Sequence, residues 1–297
     1  MSDELRFDGR VAVITGAGRG VGREYALLLA ARGATVVVND LGCASDGSGA
    51  SLGPAEDVAA EITAAGGTAL ANGNDMTTAD GCAGLIAAAQ AAFGRVDILI
   101  HNAGYVFGDF EALLDIHLRA AHRLTEAAWP IMTEQGYGRI LLTSSGAGLY
   151  GSGLMPFYGA AKMGVFGLAR CLSDKAATDG VGIKVNLIGP CAATRLVTEL
   201  PKSDPIDWVI AKCDPALIAP AAAYLVHEDC PVTGEMLSVG AGRVARNFVA
   251  ETHGYLNPDL TLEAVRDHFG EVMAEAGYHV PADMNELAEL FMKIVGP

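Results

Sequence analysis

The chain is short of positive charge, aromatic rings and paired cysteines, and it has no long apolar run. Lys and Arg number 20 against 35 Asp and Glu, a formal net charge of −15 at pH 7. That imbalance excludes a broad basic face for nucleic acid. An anionic ligand must be met by a local basic group or a helix N-terminus. The six cysteines include no C-x-x-C pair, and the histidines show no metal spacing. They read as reduced thiols of a cytoplasmic protein without a metal. No stretch reaches the ~18 uninterrupted apolar residues of a membrane span. The first residues, MSDELRFDGR, carry charge where a signal peptide needs an apolar core.

What is present is a core. The 297 residues are 51% hydrophobic, enough for one large α/β domain. Short β-branched runs alternate with Ala/Leu-rich helical stretches. RVAVIT (10–15), ATVVVND (34–40), RVDILIHNAG (95–104), GRILLTSS (138–145), GIKVNLI (182–188) and EMLSVG (235–240) read as strands. Helices are expected at 23–33, 55–66, 111–135 and 157–178. This alternation predicts a doubly wound parallel sheet with helices on both faces. A Gly/Ser-rich loop, 41–54, follows the second strand. The sheet domain is expected over 1–244. From 245 to 297 the sequence turns helical and acidic, predicting an extension packed on the domain or on a partner subunit. Its apolar stripes are Leu262, Val265, Phe269 and Val272, then Leu287, Leu290 and Phe291.

TGAGRGVG (15–22) stands where the first strand turns into a helix. Gly16, Gly20 and Gly22 let the backbone approach a pyrophosphate, which the helix N-terminus stabilises. The next strand ends in Asp40, whose carboxylate can accept from both adenosine ribose hydroxyls and repels a 2′-phosphate. NAD is therefore the expected cofactor. Arg19 is the counter-signal for NADP. Further on, YGAAK sets Tyr158 and Lys162 at i and i+4, one helical turn apart. A cation there favours the phenolate. The plainer reading is a surface pair on an amphipathic helix.

Together T-G-x-x-x-G-x-G at 15–22, N-A-G at 102–104, Ser145 and Y-x-x-x-K at 158–162 resemble the short-chain dehydrogenase/reductase superfamily, over residues 7 to about 242. The resemblance implies a Rossmann-type domain with a nicotinamide cofactor. It makes Tyr158 the acid/base, Lys162 its tuner, and Ser145, rather than Ser144, the donor to the substrate oxygen. It extends the cofactor-binding set to Val21, Asp75, Met76, Asn102, Ala103, Gly104, Pro190 and Thr194, with Tyr158 and Lys162 near the nicotinamide ribose.

LRFDGRVAVITGAG, VVVNDLG, HLRAAHRLTEAAWPIM and YGRILLTSSGAGLYG further resemble the dehydrogenase unit of the peroxisomal multifunctional enzyme type 2 family. That implies lipid or fatty-acid metabolism, with (3R)-3-hydroxyacyl-CoA as substrate and a homodimer or homotetramer. The chain looks like this dehydrogenase standing alone. Alternatives are a hydroxysteroid, a sterol side-chain acyl-CoA, or a catalytically weak NAD(H)-binding scaffold or sensor. Arg195, Lys202, Lys212 and Arg243 are candidates for CoA phosphates, or simply solvated charges.

There are departures. The family's helical Asn appears as His117, which can relay protons or serve packing. His101 replaces the first residue of N-N-A-G. Only twelve residues separate Gly104 from His117, shortening a segment that borders the substrate cleft.

Overall fold

The computed structural model describes residues 4–44, 48–199 and 202–295. Residues 45–47 of the Gly/Ser-rich loop lie outside the described residues. The chain divides into two compact units, Met1–Arg246 and Asn247–Pro297.

The first unit is built on an eight-stranded sheet. Its strands are β1 (Val11–Thr15), β2 (Thr35–Asn39), β3 (Thr68–Asn72), β4 (Ile98–His101), β5 (Gly138–Thr143), β6 (Ile183–Pro190), β7 (Met236–Gly240) and β8 (Arg243–Asn247). They are ordered β3-β2-β1-β4-β5-β6-β7-β8, with parallel pairing from β3 through β7. The register sets Val11 beside Thr35 and Ala12 beside Ile98. β3 is missing from the sequence expectations. TALAN has one β-branched residue and no apolar alternation, so only its ladder with β2 identifies it as a strand. β8 follows β7 through Ala241 and Gly242, both at positive φ, as in the tight primed turns of hairpins.

Alternate residues of the same strands feed two cores. Ala12, Ile14, Val36, Val38, Ile98 and Ile100 pack with Tyr25, Leu29, Val58 and Leu225. Val11, Val13, Val37, Leu99, Ile140 and Leu142 pack with Leu85, Leu124, Met132 and Val165 on the other side. Burial on both faces explains why these strands read as continuous apolar runs. The covering helices include α1 (Gly20–Ala31), α2 (Gly53–Ala64) and α3 (Ala79–Phe93).

The expected helix over 111–135 is not one regular helix. α4 (Phe110–Leu113) passes through a π-helical turn, Leu114–Arg119, into α5 (Ala120–Gln135). After β5 come α6 (Gly146–Tyr150) and the long α7 (Pro156–Thr178). Beyond β6 lie α8 (Arg195–Thr198), α9 (Asp204–Lys212) and α10 (Ala219–Leu225). The order of strands reverses at β1 and β4, so a crevice opens beyond the carboxyl ends of those strands, the usual ligand position in such sheets.

The second unit holds β9 (Glu251–Thr252) paired antiparallel to β10 (Tyr278–His279), with α11 (Leu262–Asp267), α12 (Phe269–Val272) and α13 (Met284–Val295). The apolar stripe from Leu262 to Val272 lies not on one helix but on two short ones that meet at His268.

Candidate active site

Lys162 is not a surface residue. Pro156 starts α7, which puts Tyr158 and Lys162 on one face a turn apart. Lys162 is 3% exposed. Its Nζ donates to the Thr143 carbonyl at 2.7 Å and stands 5.5 Å from the Tyr158 ring centroid. Ser144 and Ser145 follow the end of β5 with different duties. Ser144 is buried and its hydroxyl donates to the Lys162 carbonyl at 2.9 Å, tying strand to helix. Ser145 caps α6, its Oγ accepting from Ala147 N at 3.2 Å, and it hydrogen-bonds the Tyr158 phenol.

Burial raises the Tyr158 pKa, while the Ser145 hydrogen bond opposes that rise. Burial alone pushes Lys162 down to about 7. The sequence expectation that Lys162 depresses the phenol is therefore not met in the chain by itself. A desolvated ammonium near half-protonation supplies only part of a charge.

Two buried histidines stand behind this pair. His101 ends β4. Thr15 Oγ1 accepts the amide hydrogens of Asn102 and Ala103, each at 3.1 Å, so its own proton goes to His101 Nδ1 at 2.9 Å. His101 Nε2–H then donates to the Ile116 carbonyl in the π-turn, at 3.0 Å. Burial first, and Lys162 second, push His101 down to about 4. His117 Nε2–H donates to the Tyr105 carbonyl at 2.8 Å, leaving Nδ1 as a buried acceptor without a partner. Burial, reinforced by Lys162, holds its pKa well below the usual imidazole value. Only glycine fits at 104, because a Cβ there would lie 2.2 Å from His117 Cε1.

The glycine-rich turn runs from β1 into α1. A Cβ on Gly22 would meet the Gly16 carbonyl at 2.1 Å and Asn102 Nδ2 at 2.6 Å. Asn102 Nδ2 also donates to Gly16 O at 3.1 Å, locking the N-A-G turn to the first loop. Val21 is buried at the start of α1. Asp40 accepts from Gly18 N at 2.9 Å and Gly42 N at 2.7 Å. Arg19 and Arg195 both reach the Cys43 carbonyl, at 3.2 and 3.5 Å. Asp75 Oδ1 accepts from the Thr77 amide and hydroxyl, and the neighbouring Met76 side chain is core. Pro190 ends β6, and Thr194 precedes α8 with its methyl 3.2 Å from where a Gly20 Cβ would stand. The predicted residues thus gather beyond the carboxyl ends of β1, β2, β3, β4, β5 and β6. Lys202, Lys212 and Arg243 are exposed. Among the described residues no cluster fits a metal.

This donor set fits a dinucleotide: an open helix N-terminus, backbone bared at glycine, and a carboxylate at the second strand end. Thr15, Thr143 and the Tyr105 carbonyl were not foreseen. Thr15 heads the glycine motif, and that position was the one available signal.

The chain belongs to the short-chain dehydrogenase family, whose model matches residues 10–204. It is an oxidoreductase with a nicotinamide-cofactor site. It is 43% identical over 283 residues to peroxisomal multifunctional enzyme type 2 of Drosophila melanogaster, covering 91% of this chain and 46% of that protein. The structure of that full-length enzyme superposes with a TM-score of 0.79 at 33% identity, covering 98% of this chain and 50% of the other. A 7α-hydroxysteroid dehydrogenase complexed with NADH and 7-oxo glycochenodeoxycholic acid superposes with a TM-score of 0.71 at 28% identity, covering 82% and 98%. The chain spans about half the length of the multifunctional enzyme it matches. Among the described residues no helix is long and apolar enough to cross a membrane.

Proposed function

We propose that this chain is an NAD-dependent dehydrogenase interconverting a secondary alcohol and a ketone, with a (3R)-3-hydroxyacyl-CoA as its substrate. The observation that carries the reaction is the half-buried Tyr158 phenol with the buried Lys162 ammonium 5.5 Å from its ring and Ser145 acting on its pKa from the end of β5. Tyr158 takes the alcohol proton. Ser145 donates to the substrate oxygen as charge develops there. Lys162 would hold the ribose hydroxyls, and its ammonium favours the phenolate once the cofactor is bound. The bound nicotinamide supplies the hydride chemistry. His117 packs edge to face on the Tyr158 ring, and its Nδ1 is available as a hydrogen-bond acceptor beside the phenol. The acyl-CoA assignment is supported by the similarity to multifunctional enzyme type 2.

NAD rather than NADP is supported by Asp40 at the end of β2, beside Gly18. Arg19 is held on the Cys43 carbonyl. A cytoplasmic location is proposed from the free thiols, although the relatives are named peroxisomal, and imaging of the tagged chain decides between them. The test of function is NADH formation across 3-hydroxyacyl-CoA chain lengths, both 3-hydroxy enantiomers, and hydroxysteroids. Turnover of steroids alone would redirect the substrate assignment. Binding of NAD without turnover of any of them would make the chain a sensor.

A further inference from the structure

The dehydrogenase reading gives no role to the cysteines, and all six are free thiols. Two of them meet. Cys191 Sγ and Cys213 Sγ are 3.7 Å apart, although residues 192–212 separate them in sequence. Main chain holds the contact from both sides. Cys191 N donates to Val239 O at 2.8 Å, one residue past the end of β6. Cys213 closes α9, its amide on Val209 O at 2.9 Å, and its carbonyl accepts from Ala193 N at 2.7 Å. The two roots of the segment carrying α8 and α9 are therefore already tied backbone to backbone. A disulfide needs sulfurs at about 2.05 Å, so they must close by under ~2 Å, within reach of side-chain rotation. Cys191 is exposed and Cys213 is buried.

We propose that Cys191 and Cys213 form an oxidative modification site, in which Cys191 reacts with a hydroperoxide and Cys213 resolves the product to a disulfide. In the first step the Cys191 sulfur attacks the O–O bond of hydrogen peroxide. A sulfenic acid forms and one water leaves. In the second step the Cys213 sulfur displaces hydroxide from the sulfenic sulfur. The S–S bond forms, and the hydroxide leaves as water with the Cys213 proton. The two thiols give up two electrons, and the peroxide takes both. Burial first, then the neighbouring Cys213 thiol, pushes the Cys191 pKa up to about 11. The thiolate is the reacting form, so the rate rises about tenfold per pH unit through the neutral and alkaline range.

The bridge joins both roots of a segment that overhangs the nucleotide turn. Thr194 lies against Gly20, and Arg195 shares the Cys43 carbonyl with Arg19. Clamping the roots hinders its departure from the turn, so the oxidised chain exchanges cofactor more slowly. That consequence rests on the cofactor reading above, whereas the bridge does not.

The test treats the full chain with hydrogen peroxide at pH 7 and pH 9, followed by intact mass and peptide mapping. The expected result is a loss of about 2 Da, reversed by dithiothreitol, with one peptide pair joined through Cys191 and Cys213. The reaction is faster at pH 9. Cys191→Ser and Cys213→Ala each abolish the bridge, and Cys213→Ala accumulates a Cys191 sulfenic acid that dimedone traps. Sulfinic acid at Cys191 with Cys213 untouched overturns the proposal. So does a bridge from Cys191 to Cys43 or another cysteine, or an unmodified Cys191. Stopped-flow NADH release is then compared before and after oxidation. A bridge that forms without slowing release removes the cofactor consequence and leaves the modification standing.

Discussion

His117 meets Tyr158 edge to face, with ring centroids 5.2 Å apart and ring planes at 81°. A Cβ on Gly104 would lie 2.2 Å from Cε1 of the same imidazole. Gly104→Ala therefore drives the imidazole out of its place beside the phenol. Misplacement on the ångström scale costs about 10²-fold in turnover, and kcat is expected to fall by that order. Steady-state kinetics of Gly104→Ala beside His117→Asn check it. An unchanged kcat in both variants would remove His117 from the mechanism.

Tyr158→Phe is expected to bind NADH as the parent does and to lose turnover by about 10²–10⁴-fold, the usual worth of a positioned acid/base. Fluorescence titration measures the first property and NADH formation the second. Near-parental turnover would defeat the assignment.

Asp40→Ser is expected to weaken NAD and improve NADP, moving the ratio of their kcat/KM values by about tenfold or more. If the parent chain already prefers NADP, Arg19 outweighs Asp40 and the cofactor proposal is wrong.

The buried imidazole of His101 makes the fold acid-sensitive. Folded His101 takes its proton only below about 4, against an ordinary imidazole value of 6.5. Between those values the unfolded chain binds more protons. Stability therefore falls as pH drops through this window, by about 3 kcal/mol from this one group. His117 acts in the same direction. His101→Asn should flatten the dependence. Urea unfolding of both proteins at pH 7 and pH 4.5 measures it, and parallel losses would show that His101 is not the cause.

Truncation after residue 246 is expected to reduce both assembly and activity. In the second unit α13 exposes Met284, Phe291, Met292 and Val295 on a helix with an acidic first turn. An apolar surface of this kind needs a cover. Light scattering and turnover of full and shortened chains test it. An active full-length monomer would rule out the homodimer or homotetramer that the resemblance implies.

The parallel sheet was legible because its central strands, β1, β2, β4, β5 and β6, are buried on both faces, so that Val36–Val38 and Ile98–Ile100 stand out as continuous apolar runs. β3 was not legible, because its Ala and Asn residues become a strand only by pairing with β2. The glycine turn, Asp40, Tyr158 and Lys162 were legible from spacing. The depth of Lys162 was not, since a lysine in sequence carries no sign of the Thr143 carbonyl that receives it. The π-turn escaped for a similar reason. LDIHLR has ordinary helical composition, and the link from His101 to Ile116 comes from a distant strand.

That turn also acts as a joint between two obligations of one segment. Each residue of an α-helix advances the chain by about 100°. A π-turn absorbs one residue more than a regular helix would. Deleting one residue within Leu114–Arg119 would restore an ordinary helix without disturbing Leu124, Ala128 and Met132, which α5 presses onto the sheet. The segments on either side would keep their phase, and only the wide turn itself, which brings the Ile116 carbonyl to His101 and the His117 ring to Tyr158, would be lost. The packing half and the reactive half of this segment can therefore change separately.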